Sequence, residues 1–154
     1  MSSAIARRVS TSVALATLGV GAATAPTYAQ DFVLPSCPGF DVGVTIESAA
    51  GNPTNAGPRP VTAGTFDVTL ENMETETTYS VRVAGAARTS PGPDGSTIIT
   101  ASGRSILFLF PTDPGGPATT LYRGRLVTNQ SADGVTSIVS STGGTVDLCT
   151  ALGG

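Results

Sequence analysis

An all-β single domain is what this sequence predicts: an antiparallel meander of about eight short strands forming a sandwich or flattened barrel. Three observations carry that expectation. Apolar and polar residues alternate along most of the chain, which is the period of a half-buried strand. Turn signals rich in Gly, Pro and Asp-Gly separate the alternating segments. Cys37 and Cys149 stand near the two ends of the alternating region, where one disulfide would join the first strand to the last.

The opening residues follow different rules. Arg7 and Arg8 precede an uncharged run of small apolar residues, Val13 to Ala25, and Thr27-Tyr28-Ala29 has the small-x-small form of a cleavage site. This is the anatomy of a secretory leader, so residues 1–29 are expected to be a signal peptide and 30–154 the secreted β-domain. The apolar run is too short and too rich in alanine for a membrane span, which needs about 20 strongly apolar residues. Beyond the arginine pair the twin-arginine motif is missing. Loss of the leader leaves six arginines against eleven carboxylates, with no lysine and no histidine anywhere in the chain. An acidic chain without a basic run argues against nucleic acid and against anionic membrane surfaces as partners.

In an exported protein the expected state of the cysteines is a Cys37–Cys149 disulfide. Closing a loop of that length restricts the unfolded chain by about 4–5 kcal/mol in the entropic account. The alternatives are two free thiols, or lipidation of Cys37 within Leu34-Pro35-Ser36-Cys37. Pro35 suits a lipidation signal poorly, and Asp31 separates the cysteine from the apolar run.

Along the domain, Phe40, Val42, Val44 and Ile46 share one phase and Asp41, Thr45 and Glu47 the other. Residues 49–64 are a proline-rich connection unsuited to a central strand. Thr65–Glu71 and Thr77–Val83 read as a hairpin, with Arg82 outward and opposite Asp67 or Glu71. Pro93-Asp94-Gly95 turns Val81–Thr89 into Ser96–Ala101, with Asp-Gly supplying positive φ. Ser102-Gly103 is expected to break or bulge the chain. Ile106–Phe110 is apolar in both phases, so it lies centrally, or faces a core on one side and a loop or partner on the other. Pro111 stops it. Thr119–Thr128 alternates again, Asp133-Gly134 turns into Val135–Ser141, and Gly143-Gly144 turns once more into Thr145–Cys149. No helix is expected after residue 30.

The stretch LFPTDPGGPATTLYRGRL, with Cys-Pro-Gly-Phe-Asp at 37–41 and Pro-Asp-Gly at 93–95, resembles a family of small secreted actinobacterial β-rich proteins. Members carry a signal peptide, two terminal cysteines and no assigned activity. The resemblance implies a fold and an exported location, and it implies no chemistry.

The residue inventory restricts the chemistry further. Without histidine there is no Ser-His-Asp or Cys-His pair, and without lysine no Schiff base. No catalytic, zinc or nucleotide-binding motif occurs, and cysteines held in a disulfide are not zinc ligands. Asp41, Glu47, Asp67 and Glu71 would need to converge in a cleft to act as a glycosidase pair, yet they fall on the outward phase. Asp94, Asp113 and Asp133 sit in loops, where a turn role competes with calcium binding. Neither a metal nor any other cofactor is expected. Arg123 and Arg125, two apart on one strand, are the candidate anion contact, with Tyr122 and Asp113 beside them. The opposing reading pairs the arginines with Asp113 or other carboxylates. Asn129-Gln130-Ser131 matches a glycosylation sequon.

These readings converge on an exported, non-enzymatic β-domain that binds or builds structure outside the cell or at its envelope, with an unnamed partner there. A small-ligand carrier with a cavity inside a barrel is the alternative. A carboxylate-dependent hydrolase is a distant third.

Overall fold

The computed structural model describes residues 29–48 and 61–154. Residues 1–28, where the leader was expected, and most of the proline-rich connection, residues 49–60, lie outside the described residues. Seven antiparallel strands pair in sequence order within one sheet. They are β1 (Ala29–Cys37), β2 (Phe40–Ser48), β3 (Val61–Asn72), β4 (Thr78–Pro91), β5 (Thr97–Leu109), β6 (Ala118–Gln130) and β7 (Thr136–Asp147). A one-turn helix, α1 (Leu148–Ala151), follows. The sheet is a half-barrel or sandwich, and the Cys37–Cys149 disulfide closes it.

The strand count differs from expectation because two glycine signals kink strands instead of ending them. Ser102-Gly103 lies inside β5, and Gly143-Gly144 lies inside β7. Two further differences have local causes. β1 begins at the last residue of the expected leader and pairs with β2 through Ala29↔Glu47. Asp147 caps α1, its Oδ1 accepting from Cys149 N at 2.9 Å and Thr150 N at 3.2 Å, so the chain coils where a strand was expected.

Five glycines form a line across the sheet. Gly64 pairs with Gly85, Gly85 with Gly103, Gly103 with Gly124, and Gly124 with Gly143. Neighbouring backbone crosses so closely here that a Cβ on Gly124 would stand 2.2 Å from the Thr142 carbonyl oxygen, and one on Gly143 1.9 Å from that of Arg123. Gly103, Gly124 and Gly143 also have φ of +95°, +139° and +93°, a region that side chains disfavour. The line is therefore a crease.

Two consequences follow from it. First, β4 pairs with β5 only from Gly85↔Gly103 to Pro91↔Thr97, while its first half pairs with β3 alone. Beyond the crease β4 and β5 separate, and the parts they belong to face each other. The core cluster joins Val42 and Val44 of β2, Val68 and Leu70 of β3, Leu121 of β6, and Leu148 and Leu152 at the C-terminus. Second, β6 doubles back. Thirteen extended residues span roughly 40 Å, yet Asp113, in the tight loop before β6, accepts a hydrogen bond from Thr136 N, which follows β6, at 2.8 Å.

That folding-back buries Leu109, Tyr122 and Leu126 outside the core cluster. The far half of β5 accordingly has apolar contacts on both sides, as its sequence requires. Ile106 and Phe108 pack against the core cluster, while Leu109 is buried away from it. The strand ends at Leu109, leaving Phe110 exposed.

At the disulfide end, Thr119 Oγ1 donates to the Ser36 carbonyl at 2.9 Å and lies 2.8 Å from Ser36 Oγ. Thr119 and Ser36 are fully buried, so these bonds offset the cost of burying both hydroxyls. Asn72 Nδ2 donates to the Leu152 carbonyl at 3.1 Å. Its Oδ1 accepts from Glu74 N at 2.9 Å and Thr75 N at 3.3 Å, which fixes the β3–β4 turn.

Candidate functional site

The space between the two facing parts is not filled. Val44 and Ile46 of β2, Phe66 and Val68 of β3, Val83 of β4, and Ile106 and Phe108 of β5 line a cleft of about 280 Å³. β2, β3 and β5 each contribute alternate residues, as one face of a strand must. Val44 and Val68 are buried, but Ile46, Phe66, Val83, Ile106 and Phe108 are only partly so. The cleft exists because β4 and β5 part at Gly85 and Gly103, and no side chain stands at the crease to fill the gap.

Phe66 and Val83 also border a second hollow of about 140 Å³ along the crease, so the two are neighbours. Ala86, Ala87, Ala101, Ser102, Arg104 and Ser105 supply much of its remaining lining. The Oγ of Ser105 is one of two buried side-chain polar atoms among the described residues without a hydrogen-bond partner. The other is Oδ1 of Asn129, the sequon asparagine, which lies in β6.

Arg104 lies two residues before Ile106, on the same side of β5. Its partner across the ladder is Arg123. Both are exposed, and the one ion pair among the described residues, Arg82 with Asp67, involves neither. Like charges directly opposite each other destabilise a ladder, and among the described residues no carboxylate forms an ion pair with either arginine.

The four residues singled out from sequence have different surroundings. Arg123 and Arg125 flank Gly124 at the crease, with Arg125 opposite Ser102 and Thr142. Tyr122 is buried, and desolvation raises its pKa above the ordinary 10.0. Asp113 is buried and accepts from Phe110 N at 2.6 Å and Thr136 N at 2.8 Å. It ties two loops together and pairs with neither arginine.

Of the remaining carboxylates, Glu47, Asp67 and Arg82 form a row across β2, β3 and β4. Arg82 Nε and Nη2 grip Asp67 at 2.8 and 2.9 Å. This hydrogen bond, followed by the guanidinium charge, lowers the Asp67 pKa from 3.8, and a hydrogen bond from Ser131 leads the lowering at Asp133. Asp94 is an exposed turn residue with φ +55°. Among the described residues no group of three or more His, Cys, Asp or Glu is placed to hold a metal ion. No described helix is long and apolar enough to cross a membrane.

A wider cleft of about 530 Å³ lies at the disulfide end, lined by Val33, Pro35, Phe40, Asp41, Met73 and Glu74 among others. Val33 and Met73 are exposed.

Sequence reasoning missed Arg104 as a site residue, and it missed the crease. Both left signals. The five glycines recur every 18 to 21 residues. Counting back from Leu109 opposite Ala118 brings Arg104 opposite Arg123. Comparison with protein-family models, with curated proteins and with solved structures finds no match to the chain.

Proposed function

We propose that this chain is an exported β-domain that acts by binding and not by catalysis, and that the cleft between its facing parts is the binding site. The observation that carries the reading is the set of half-exposed apolar side chains, Ile46, Phe66, Val83, Ile106 and Phe108, around an unfilled space. Apolar walls with few polar groups are the usual character of small-molecule sites. The leader-like N-terminus supports export, and the lack of histidine and lysine removes most nucleophile and base chemistry.

The test is titration with a neutral dye that fluoresces in apolar surroundings. A saturable, one-to-one enhancement is expected, and Val83→Phe, which fills the cleft, should remove it while the protein still melts cooperatively. Absence of saturable enhancement in the unaltered protein would overturn the cleft as a ligand site.

Contact with a macromolecular partner of the envelope is the second reading. It is favoured by the disulfide-end cleft, where Val33 and Met73 expose apolar surface beside Asp41 and Glu74. Affinity capture from envelope extracts should lose its partner on Met73→Glu. Recovery that does not depend on Met73 would argue against that face.

A further inference from the structure

We infer that the cleft takes a single-chain amphiphile with a carboxylate head, its tail between the facing parts and its head at Arg104 and Arg123. This rests on the cleft being the binding site, as proposed above. Three observations converge on the ligand class.

The cleft walls are apolar, so the buried portion of the ligand is hydrocarbon. Its volume of about 280 Å³ holds roughly nine groups the size of a water molecule, enough for one medium chain and too little for two. Arg104 lines the neighbouring hollow, which shares Phe66 and Val83 with the cleft, and Arg123 stands opposite it on β6. Two neighbouring guanidiniums without a carboxylate partner among the described residues provide the forked donors that a carboxylate accepts in bidentate fashion. A bound anion would also relieve their mutual repulsion.

Charge decides between occupants. A neutral chain would leave the arginine pair as it is, and a cationic amphiphile would be repelled by it. A bilayer surface fits less well, because the mature chain is acidic overall and the apolar surface is recessed between strands instead of projecting.

The experiment is calorimetric titration of the oxidised protein with octanoate, decanoate, decanol and decyltrimethylammonium, each below its micelle concentration. Decanoate is expected to bind one-to-one, about tenfold tighter than decanol because of the charge-assisted head contact. Octanoate should be roughly fifteenfold weaker than decanoate, at about fourfold per methylene. The ammonium compound should give no binding heat.

Arg104→Gln should erase the advantage of decanoate over decanol, whereas Arg82→Gln, on an arginine already paired with Asp67, should leave it intact. Equal binding of decanoate and decanol, or an advantage that survives both Arg104→Gln and Arg123→Gln, would overturn the head-group assignment while leaving the cleft a ligand site. Failure of all four probes, with the dye silent as well, would remove the cleft reading and this inference together. Decanoate binding that persists in Val83→Phe would place the ligand elsewhere and overturn the inference. So would co-sedimentation with anionic lipid vesicles in place of decanoate binding.

Discussion

Asp113 is 5% exposed, and its two carboxylate oxygens accept separate backbone hydrogen bonds, from Phe110 and from Thr136. One side chain thus satisfies two donors in two loops far apart in sequence. Hydrogen bonds to a charged acceptor contribute about 1.5–3 kcal/mol each. Asp113→Ala is therefore expected to lower unfolding stability by about 2–4 kcal/mol in urea titration, given that water reaches part of the vacated site. Asp113→Asn, which keeps one acceptor oxygen, should lose less. An alanine variant of unchanged midpoint would show that the loops stay docked without the carboxylate. Arg82–Asp67, by contrast, is bidentate and well formed but exposed, so it contributes little. Geometry alone ranks these two aspartates wrongly, and burial corrects the order. The sequence offered no means of ranking them, because the partners of Asp113 are backbone groups brought near only when β6 doubles back.

At the scale of elements the crease is the dominant device. Gly124→Ala and Gly143→Ala each combine an unfavourable φ with overlap onto a neighbouring carbonyl. Gly134, at φ +91° in the β6–β7 turn, would meet nothing within 4 Å. Gly134→Ala is expected to lose about 1–2 kcal/mol, the cost of the conformation alone. The two crease variants should lose at least twice as much in the same thermal or urea measurement. Similar losses at all three positions would mean that the close approach relaxes easily and that the crease is not rigid. Alternation made β2, the β3–β4 hairpin and the two-sided far half of β5 legible from the residues alone. It left a break and a bend undecided at Gly103 and failed at Gly143, because a glycine that ends a strand and one that bends it look alike in sequence. What separates them is the glycine opposite, in the neighbouring strand.

For the whole molecule, closure falls to the termini. The disulfide joins β1 to α1 across 112 residues, and Thr119 bonds to Ser36 beside it. Reduction and alkylation should cost about 4–5 kcal/mol by the loop-entropy account, read as a lowered melting temperature. A shift near zero would show that packing of Leu148 and Leu152 suffices to hold the ends. The sheet edges are guarded as well. Pro35 removes a donor from β1, and Val139 bulges out of β7, where Val127↔Ser140 is followed directly by Thr128↔Ile138. Cysteine positions and turn spacing made this closure readable in advance. The cleft was not, since it depends on where two strands cease to pair, and no local pattern encodes that.

The glycine line has one more effect, on how the chain finds its pairing. A strand of serines, threonines and alanines can slide against its neighbour with little change in packing. Here a slip of one residue would bring Ala84, Ser102, Arg123 or Thr142 under a carbonyl that tolerates only a hydrogen atom. Gly85, Gly103, Gly124 and Gly143, each under a neighbouring carbonyl, act as a key against that slip. Lengthening a turn would leave this register in place, whereas adding a residue between a turn and its glycine would shift it.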